Sequence, residues 1–215
     1  MSTCRMWVKV LLLVATVGLA APAHAGTTLS GANTDFPDNS LVMPFATTDE
    51  AWASLVEQQG MNEGEPTDLW NHQLQTAAGL ERLGASEEVI VAGLLHDLGD
   101  GRVAESAHAP WAAALVRPLL GERVAWLIGA HADAKRYLCT TDAGYWETLS
   151  PLSKQTLIAQ GGRMTPEEVT AFAAQPWATD ALLLRQCDDG GKDPSLTIEH
   201  PERFRAMLDR VAARE

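Results

Sequence analysis

Cysteine is scarce in this chain, three residues in 215, and that scarcity excludes a disulfide-stapled scaffold. Cys4 lies ahead of an N-terminal apolar run, so no lipid-acceptor cysteine follows that run, and Cys139 and Cys187 are expected as largely buried thiols. Positive charge is also in short supply. Against 28 Asp and Glu there are 16 Lys and Arg, a formal net charge of -12. With no basic field to attract a polyanion, nucleic acid is excluded as a partner, and any anion must be recognised by a few local cations such as Lys135, Arg136 and Arg185. Alternating strand patterns and internal repeats are both missing. The fold class that remains is all-α.

What is present begins with a leader. Arg5 and Lys9 precede an apolar stretch over residues 10–20, followed by Ala23-His24-Ala25. A positive start, a short apolar run and an A-x-A site read as a signal peptide over residues 1–25, its apolar part too short for a comfortable membrane span. Cleavage after Ala25 would export the chain to the periplasm or beyond. It would also remove two cations and no acid, with no stable membrane association left. Residues 26–46 are polar, rich in turn formers and without period, hence a flexible segment. Residues 47–215 have the length and apolar content for one domain, a helical bundle with one substantial core.

Helix signals recur through that domain. Thr47 and Glu50 match a capping box, and Gly60 closes the helix they open. A second helix spans residues 69–83, with Leu69, Leu80 and Leu83 on an apolar stripe and Gly84 as its stop. A third opens at Ser86, runs through the apolar residues 89–95 to His96, and breaks at Asp100-Gly101. Residues 110–120 and 122–138 read as two helices separated by Gly121, the second placing His131 and Lys135 one above the other. Thr165-Pro166-Glu167-Glu168 opens another, and residues 177–187 and 198–213 complete the set.

On these helices lie His72, His96-Asp97, His108, His131 and Asp188. They are nitrogen and oxygen donors with no thiolate among them, chemistry that suits iron or manganese at least as well as zinc. Neighbours on a helix point about 100° apart, so His96 and Asp97 meet one centre only where the helix ends, or where Asp97 bridges two ions. A carboxylate has two oxygens and can bridge. His200 lies apart from the set and reads as structural. Either Asp188 or Asp189 could sit at a solvated helix end.

Several stretches together resemble one family. They are Gly64-Glu65, His72-Gln73-Leu74-Gln75-Thr76-Ala77-Ala78, Leu94-Leu95-His96-Asp97-Leu98-Gly99, and the specific run from His131 through Lys135 to Cys139. Leu149-Ser150-Pro151-Leu152-Ser153, Gln160-Gly161-Gly162 and Leu184-Arg185-Gln186-Cys187-Asp188-Asp189 complete the match across residues 63–192. The chain resembles the HD-domain mixed-valent diiron oxygenases, relatives of myo-inositol oxygenase, which use dioxygen to cleave the carbon–phosphorus bond of hydroxylated aminophosphonates and release phosphate. The resemblance implies two iron ions in a mixed-valent Fe(II)/Fe(III) pair. One would be held by His72, His96 and Asp188, the other by His108 and His131, with Asp97 bridging. It also implies a small organophosphonate substrate, with Lys135 suited to the anion and Glu65 to an amine, both in catalytic positions. Ser153 and Arg185 join them as pocket residues.

Two positions depart from the family pattern. Asp100 stands in the substrate shell where the family often has a histidine, and Asn62 replaces a tyrosine that can occupy the metal site. Neither touches the ligand set. The same ligands would also serve a metal-dependent HD-domain phosphohydrolase acting on a phosphoester, and a noncatalytic metal- or ligand-binding protein is the third reading.

Overall fold

The computed structural model of the chain describes residues 43–215, so the signal segment over residues 1–25 and most of the segment over residues 26–46 lie outside the described residues. Among the described residues there are nine helices and no strand: α1 (Thr48–Val56), α2 (Leu69–Arg82), α3 (Glu87–Leu95), α4 (His108–Thr141), α5 (Tyr145–Thr148), α6 (Pro151–Ala159), α7 (Pro166–Ala173), α8 (Ala178–Gly190) and α9 (Glu202–Ala212). The all-α expectation holds. Packing begins two residues before Thr47, where the Phe45 amide donates to the Leu115 carbonyl at 2.9 Å.

Both capping boxes form. Thr47 Oγ1 accepts from the Glu50 amide at 3.2 Å while Glu50 Oε2 accepts from Thr47 N at 3.3 Å, and Thr165 with Glu168 repeats the exchange at α7. Each such cap contributes ~1 kcal/mol. The Asp68 side chain caps α2, and Gly84 at φ +74 ends it. Leu83 is not on the buried stripe. It lies past the last turn of α2 and is exposed, whereas Leu69, Leu74, Ala77 and Leu80 face the core.

The other departures from sequence expectation have local causes. Helix α3 stops at Leu95, before Asp100-Gly101, because Gln58 Nε2 donates to the carbonyls of Asp97 (2.8 Å) and Asp100 (3.4 Å) and holds residues 96–102 as turns. The two helices around Gly121 are present as the halves of α4, which starts at His108 rather than residue 110; Gly121 adopts φ 76, ψ 176 and interrupts the helical backbone. Helix α8 continues to Gly190, three residues past the expected end. Helix α9 starts at Glu202 and not at residue 198: His200, at φ 55, is outside helical geometry, and Pro201 stands at the N-cap. Sequence reading missed α5 and α6, although Ser150-Pro151 is a helix start in which Ser150 Oγ accepts from the Ser153 amide at 3.0 Å.

Helices α2, α3, α4 and α8 pack on one another, and α9 covers α3 and α1. Leu74 and Leu80, Leu94 and Leu95, Leu127 and Ile128, Leu184, and Phe204 and Leu208 meet there, all essentially without exposure. Each large side chain so buried contributes roughly 1.5–3 kcal/mol. A smaller cluster of Cys139, Tyr145, Leu149 and Leu157 fastens α5 and α6 to the end of α4. Cys139 is buried and Cys187 half-buried, both as thiols. No helix among the described residues is long and apolar enough to cross a membrane.

Candidate metal centre and its pocket

Each of the four central helices delivers a polar side chain to the middle of the bundle. His72 comes from α2, His96 is the residue that caps α3, Asp97 follows it in the turn, His108 opens α4, His131 lies in its second half and Asp188 sits near the end of α8. All six are buried, none exposing more than 7% of its surface. Helix α3 ends at His96, so the adjacent pair escapes the 100° separation of a continuing helix.

The four imidazoles share one hydrogen-bond pattern. His72 Nδ1 lies 2.9 Å from the Gly191 carbonyl, His96 Nδ1 2.9 Å from that of Gly93, His108 Nδ1 2.6 Å from that of Glu105, and His131 Nδ1 2.7 Å from that of Ile128. A carbonyl oxygen only accepts, so each Nδ1 carries a proton and each ring turns its Nε2 inward, where it takes either a second proton or a cation. His108 Nε2 and His131 Nε2 then face each other at 2.9 Å, and His96 Nε2 is buried without a hydrogen-bond partner. Lone pairs that close are tolerated only with a cation or proton between them.

The donors form two groups, His72, His96 and Asp188 in one and Asp97, His108 and His131 in the other. In the first, Asp188 Oδ1 is 3.4 Å from His72 Nε2 and Oδ2 is 3.6 Å from His96 Nε2. Asp97 faces both groups. Its Oδ2 is 3.2 Å from His72 Nε2 and 3.1 Å from His96 Nε2, while its Oδ1 is 3.4 Å from His131 Nε2 and 3.9 Å from His108 Nε2.

Electrostatics follow from that crowding. Burial disfavours a charged imidazole at His96, yet Asp97 and Asp188 outweigh it and its pKa is pushed up to about 10. At His131, burial and the neighbouring His108 and His96 hold the pKa well below the ordinary histidine value. Burial would raise Asp188, but Arg185, His72 and His96 hold its carboxyl well below the usual range. Arg185 Nη1 donates to Asp188 Oδ2 at 2.8 Å, and the same guanidinium pairs with Asp189, which also accepts from the Tyr145 hydroxyl. Asp188 therefore points at the centre and Asp189 away from it.

A cavity of about 90 Å³ opens onto the cluster. Glu65, Asp100, Lys135, Ser153 and Arg185, all singled out in the sequence, line it. Lys135 Nζ donates to Thr156 Oγ1 at 2.7 Å; burial, with Arg185 nearby, lowers its pKa to about 8. Arg136 is not a pocket cation: it is spent on Asp133, Glu168 and the Gly162 carbonyl. Asn62 turns inward on its own loop, donating to the carbonyls of Glu65 and Thr67. His200 is exposed beside Glu202, outside the cluster.

Sequence reading missed Lys192, whose Nζ donates to Glu65 Oε1 at 2.7 Å and to Ser153 Oγ at 3.1 Å. Glu63 and Glu105 were missed as well, and Gln160 was named only within a matching stretch, with no pocket role. No periodicity marks these residues, since they come from loops and helix ends that only tertiary packing gathers. Burial pushes the Asp100 carboxyl well above its ordinary pKa, with Asp97, Glu105 and Glu63 adding to the effect.

Comparison with known proteins fits this geometry. The HD domain family matches residues 69–173. The chain is 31% identical over 169 residues to a (1-hydroxy-2-(trimethylamino)ethyl)phosphonate dioxygenase (glycine-betaine-forming) of Leisingera caerulea, covering 73% of this chain and 86% of the relative. It is 33% identical over 167 residues to a hydroxymethylphosphonate dioxygenase of Gimesia maris, covering 72% of this chain and 83% of the relative. With an HD domain, relatives matched over most of their length and two clusters of buried metal-ligating side chains, the chain belongs to the HD-domain phosphonate oxygenase family.

Proposed function

We propose that this protein uses dioxygen to oxidise and cleave the carbon–phosphorus bond of a hydroxylated phosphonate, giving a carboxylic acid and phosphate. The observation that carries the metal chemistry is the inward convergence of four Nε2 lone pairs, two of them 2.9 Å apart, around a carboxylate whose two oxygens face different groups. Such a donor set fits two cations, and its imidazole and carboxylate composition without thiolate suits iron. In this reading His72, His96 and Asp188 hold one iron, His108 and His131 the other, and Asp97 bridges. A bound mixed-valent iron pair supplies the activation of dioxygen.

The chain's own residues do the rest. The backbone carbonyls fix each imidazole so that Nε2 faces the metal, and Arg185 holds Asp188 in position through its carboxylate. Lys135 and Lys192, with Thr156 and Ser153, offer N–H and O–H donors to the phosphonate oxygens, orienting the hydroxyl-bearing carbon toward the buried cluster. Lys135 and Ser153 are buried, and the low local dielectric strengthens contacts made there.

Iron-loaded protein supplied with hydroxymethylphosphonate and related hydroxyphosphonates should take up about one dioxygen per phosphate released, as the balance of the reaction requires, and release none without oxygen. Hydrolysis of phosphoesters proceeding equally well under anaerobic conditions, with no oxygen uptake on any phosphonate, would replace this reading by that of an HD-domain phosphohydrolase. The leader over residues 1–25 supports an exported location, and N-terminal sequencing of the mature protein should then begin at Gly26.

A further inference from the structure

Gln58, one residue past the C-cap of α1, and Gln73, the neighbour of His72 in α2, expose none of their surface. Neither lines the cavity and neither belongs to the metal donors. A carboxamide so buried needs partners for its polar atoms, and these two are bonded to each other. Gln73 Nε2 donates to Gln58 Oε1 at 2.8 Å and to the Leu69 carbonyl at 3.2 Å, and Gln58 Nε2 in turn donates to the carbonyls of Asp97 at 2.8 Å and Asp100 at 3.4 Å. The result is a bridge of two side chains from the helix of His72 to the turn of Asp97.

Its direction is fixed. Turning over the Gln58 amide would set Oε1 against two carbonyl oxygens and Nε2 against Gln73 Nε2, so only one order of donors and acceptors works. The bridge also has a parallel. Asp97 Oδ2 lies 3.2 Å from His72 Nε2, so the same two segments are joined once through the metal donors and once through the glutamines. Asp97 stands in the turn past the end of α3, and its carbonyl is the atom through which the bridge reaches it. Holding that carbonyl limits where the carboxylate of the same residue can swing. Stability alone does not call for glutamine here: replacing both partners of a buried hydrogen bond by apolar groups of like shape is often close to neutral, and the Asp97 carbonyl would still accept from the Asp100 amide at 3.0 Å. A leucine pair would fill the space and leave the turn unsteered.

We propose that Gln58 and Gln73 are positioning residues, an amide bridge that sets where the Asp97 carboxylate stands between the His72/His96 pair and the His108/His131 pair. The inference rests on the reading of the cluster as a site for two cations. Asp97 divides its oxygens between the two pairs at distances from 3.1 to 3.9 Å, so a swing of the carboxylate toward one pair is a swing away from the other. The bridge therefore acts on both ions through one residue. Because it lies outside the cavity, its loss shows in metal affinity and in the coupling between the ions before it shows in any contact with substrate.

The test is an anaerobic titration of the metal-free protein with ferrous ion, followed by half-oxidation and electron paramagnetic resonance. Gln58→Leu should weaken both metal equivalents together by about tenfold, the lower end of what the loss of a supporting hydrogen bond around a metal site costs. Gln73→Leu leaves Gln58 its bonds to the turn and frees only its other end, so it should weaken them about threefold. The double variant should be no weaker than Gln58→Leu alone, because links of one chain are lost once. The spin-coupled signal of the wild-type iron pair should move in all three variants, while the metal-free double variant should melt close to the metal-free wild type. If Gln58→Leu fails to fold, Gln73→Leu decides by the same titration and signal. A loss of about thirtyfold in the double variant, the product of the single losses, would show two independent residues and overturn the bridge. So would a lowered metal-free melting temperature with affinities and signal unmoved, or weakening of one equivalent alone in Gln58→Leu. Wild-type protein that takes up fewer than two ions removes the two-cation reading and the bridge's role with it; two coupled ions indifferent to every leucine variant remove the bridge alone.

Discussion

Asp97 illustrates how one residue serves two neighbours: its oxygens divide between the His72/His96 pair and the His108/His131 pair. Asp97→Ala should therefore lose both metal equivalents together in elemental analysis, whereas Asp188→Asn should deplete mainly the group it shares with His72 and His96. Asp189→Asn should retain metal, since Asp189 touches Arg185 and Tyr145 and points away from the cluster. Retention of both ions at full affinity in Asp97→Ala would rule out a shared carboxylate. Lys135 supports a second prediction. Its truncation to alanine should cost about 1.5–3 kcal/mol in kcat/KM on a phosphonate, the scale of a hydrogen bond to a charged group, with metal content unchanged. Burial lowers its pKa to about 8, so its charge is present below that pH and lost above it, and kcat/KM should fall as pH rises through about 8. Lys135→Arg should flatten that limb, because a guanidinium stays charged. A high-pH limb unchanged by that substitution would assign it to another group.

At the scale of elements, the turn after α3 brings the HD pair against the start of α4. A Cβ on Gly99 would meet the His108 carbonyl oxygen at 2.4 Å and its Cα at 2.7 Å, backbone atoms that yield only if α4 shifts. Gly93, inside α3, would meet the Leu80 Cδ1 methyl at 2.4 Å, the far end of a mobile side chain. Gly99→Ala should thus destabilise by ~1–3 kcal/mol, the range for overpacking, and weaken metal binding through His108, while Gly93→Ala should cost less and spare the metal. Chemical denaturation with metal analysis of both variants checks the contrast; equal effects would mean that the α3–α4 turn is not held by close approach. Both contacts were illegible in the sequence, where Gly99 was merely part of a motif. The capping boxes at Thr47 and Thr165 were legible because cap and helix are neighbours in the chain. Helices α5 and α6 escaped notice because they are short and take much of their stability from the cluster around Cys139 and Tyr145 rather than from an amphipathic pattern.

For the whole molecule, a centre that points four imidazole lone pairs and two carboxylates inward is a native state waiting for cations. Metal that binds the folded chain and not the unfolded one stabilises by about 2.7 kcal/mol at a hundredfold excess over Kd, which for a domain of this size is a rise in Tm of roughly 5–10 °C. Calorimetric scans of chelated and iron-loaded protein should show that difference, and the Asp97→Ala variant should lose it; coincident transitions would show that the cluster does not take up metal in the folded state. Sequence alone determined the all-α class, most helix starts, the six inward donors and the resemblance that joins them, because caps, periodicity and motif runs are properties of adjacent residues. Tertiary structure decided the rest. It set Arg185 beside both Asp188 and Asp189, tied Arg136 to Asp133 and Glu168 away from the pocket, bound Glu65 to Lys192 across 127 residues of chain, and gathered Glu63, Asp100, Glu105 and Gln160 around one cavity. Those outcomes depend on which distant groups share a small buried volume, and pairing among buried charges is fixed by distance in space, which spacing along the chain does not encode.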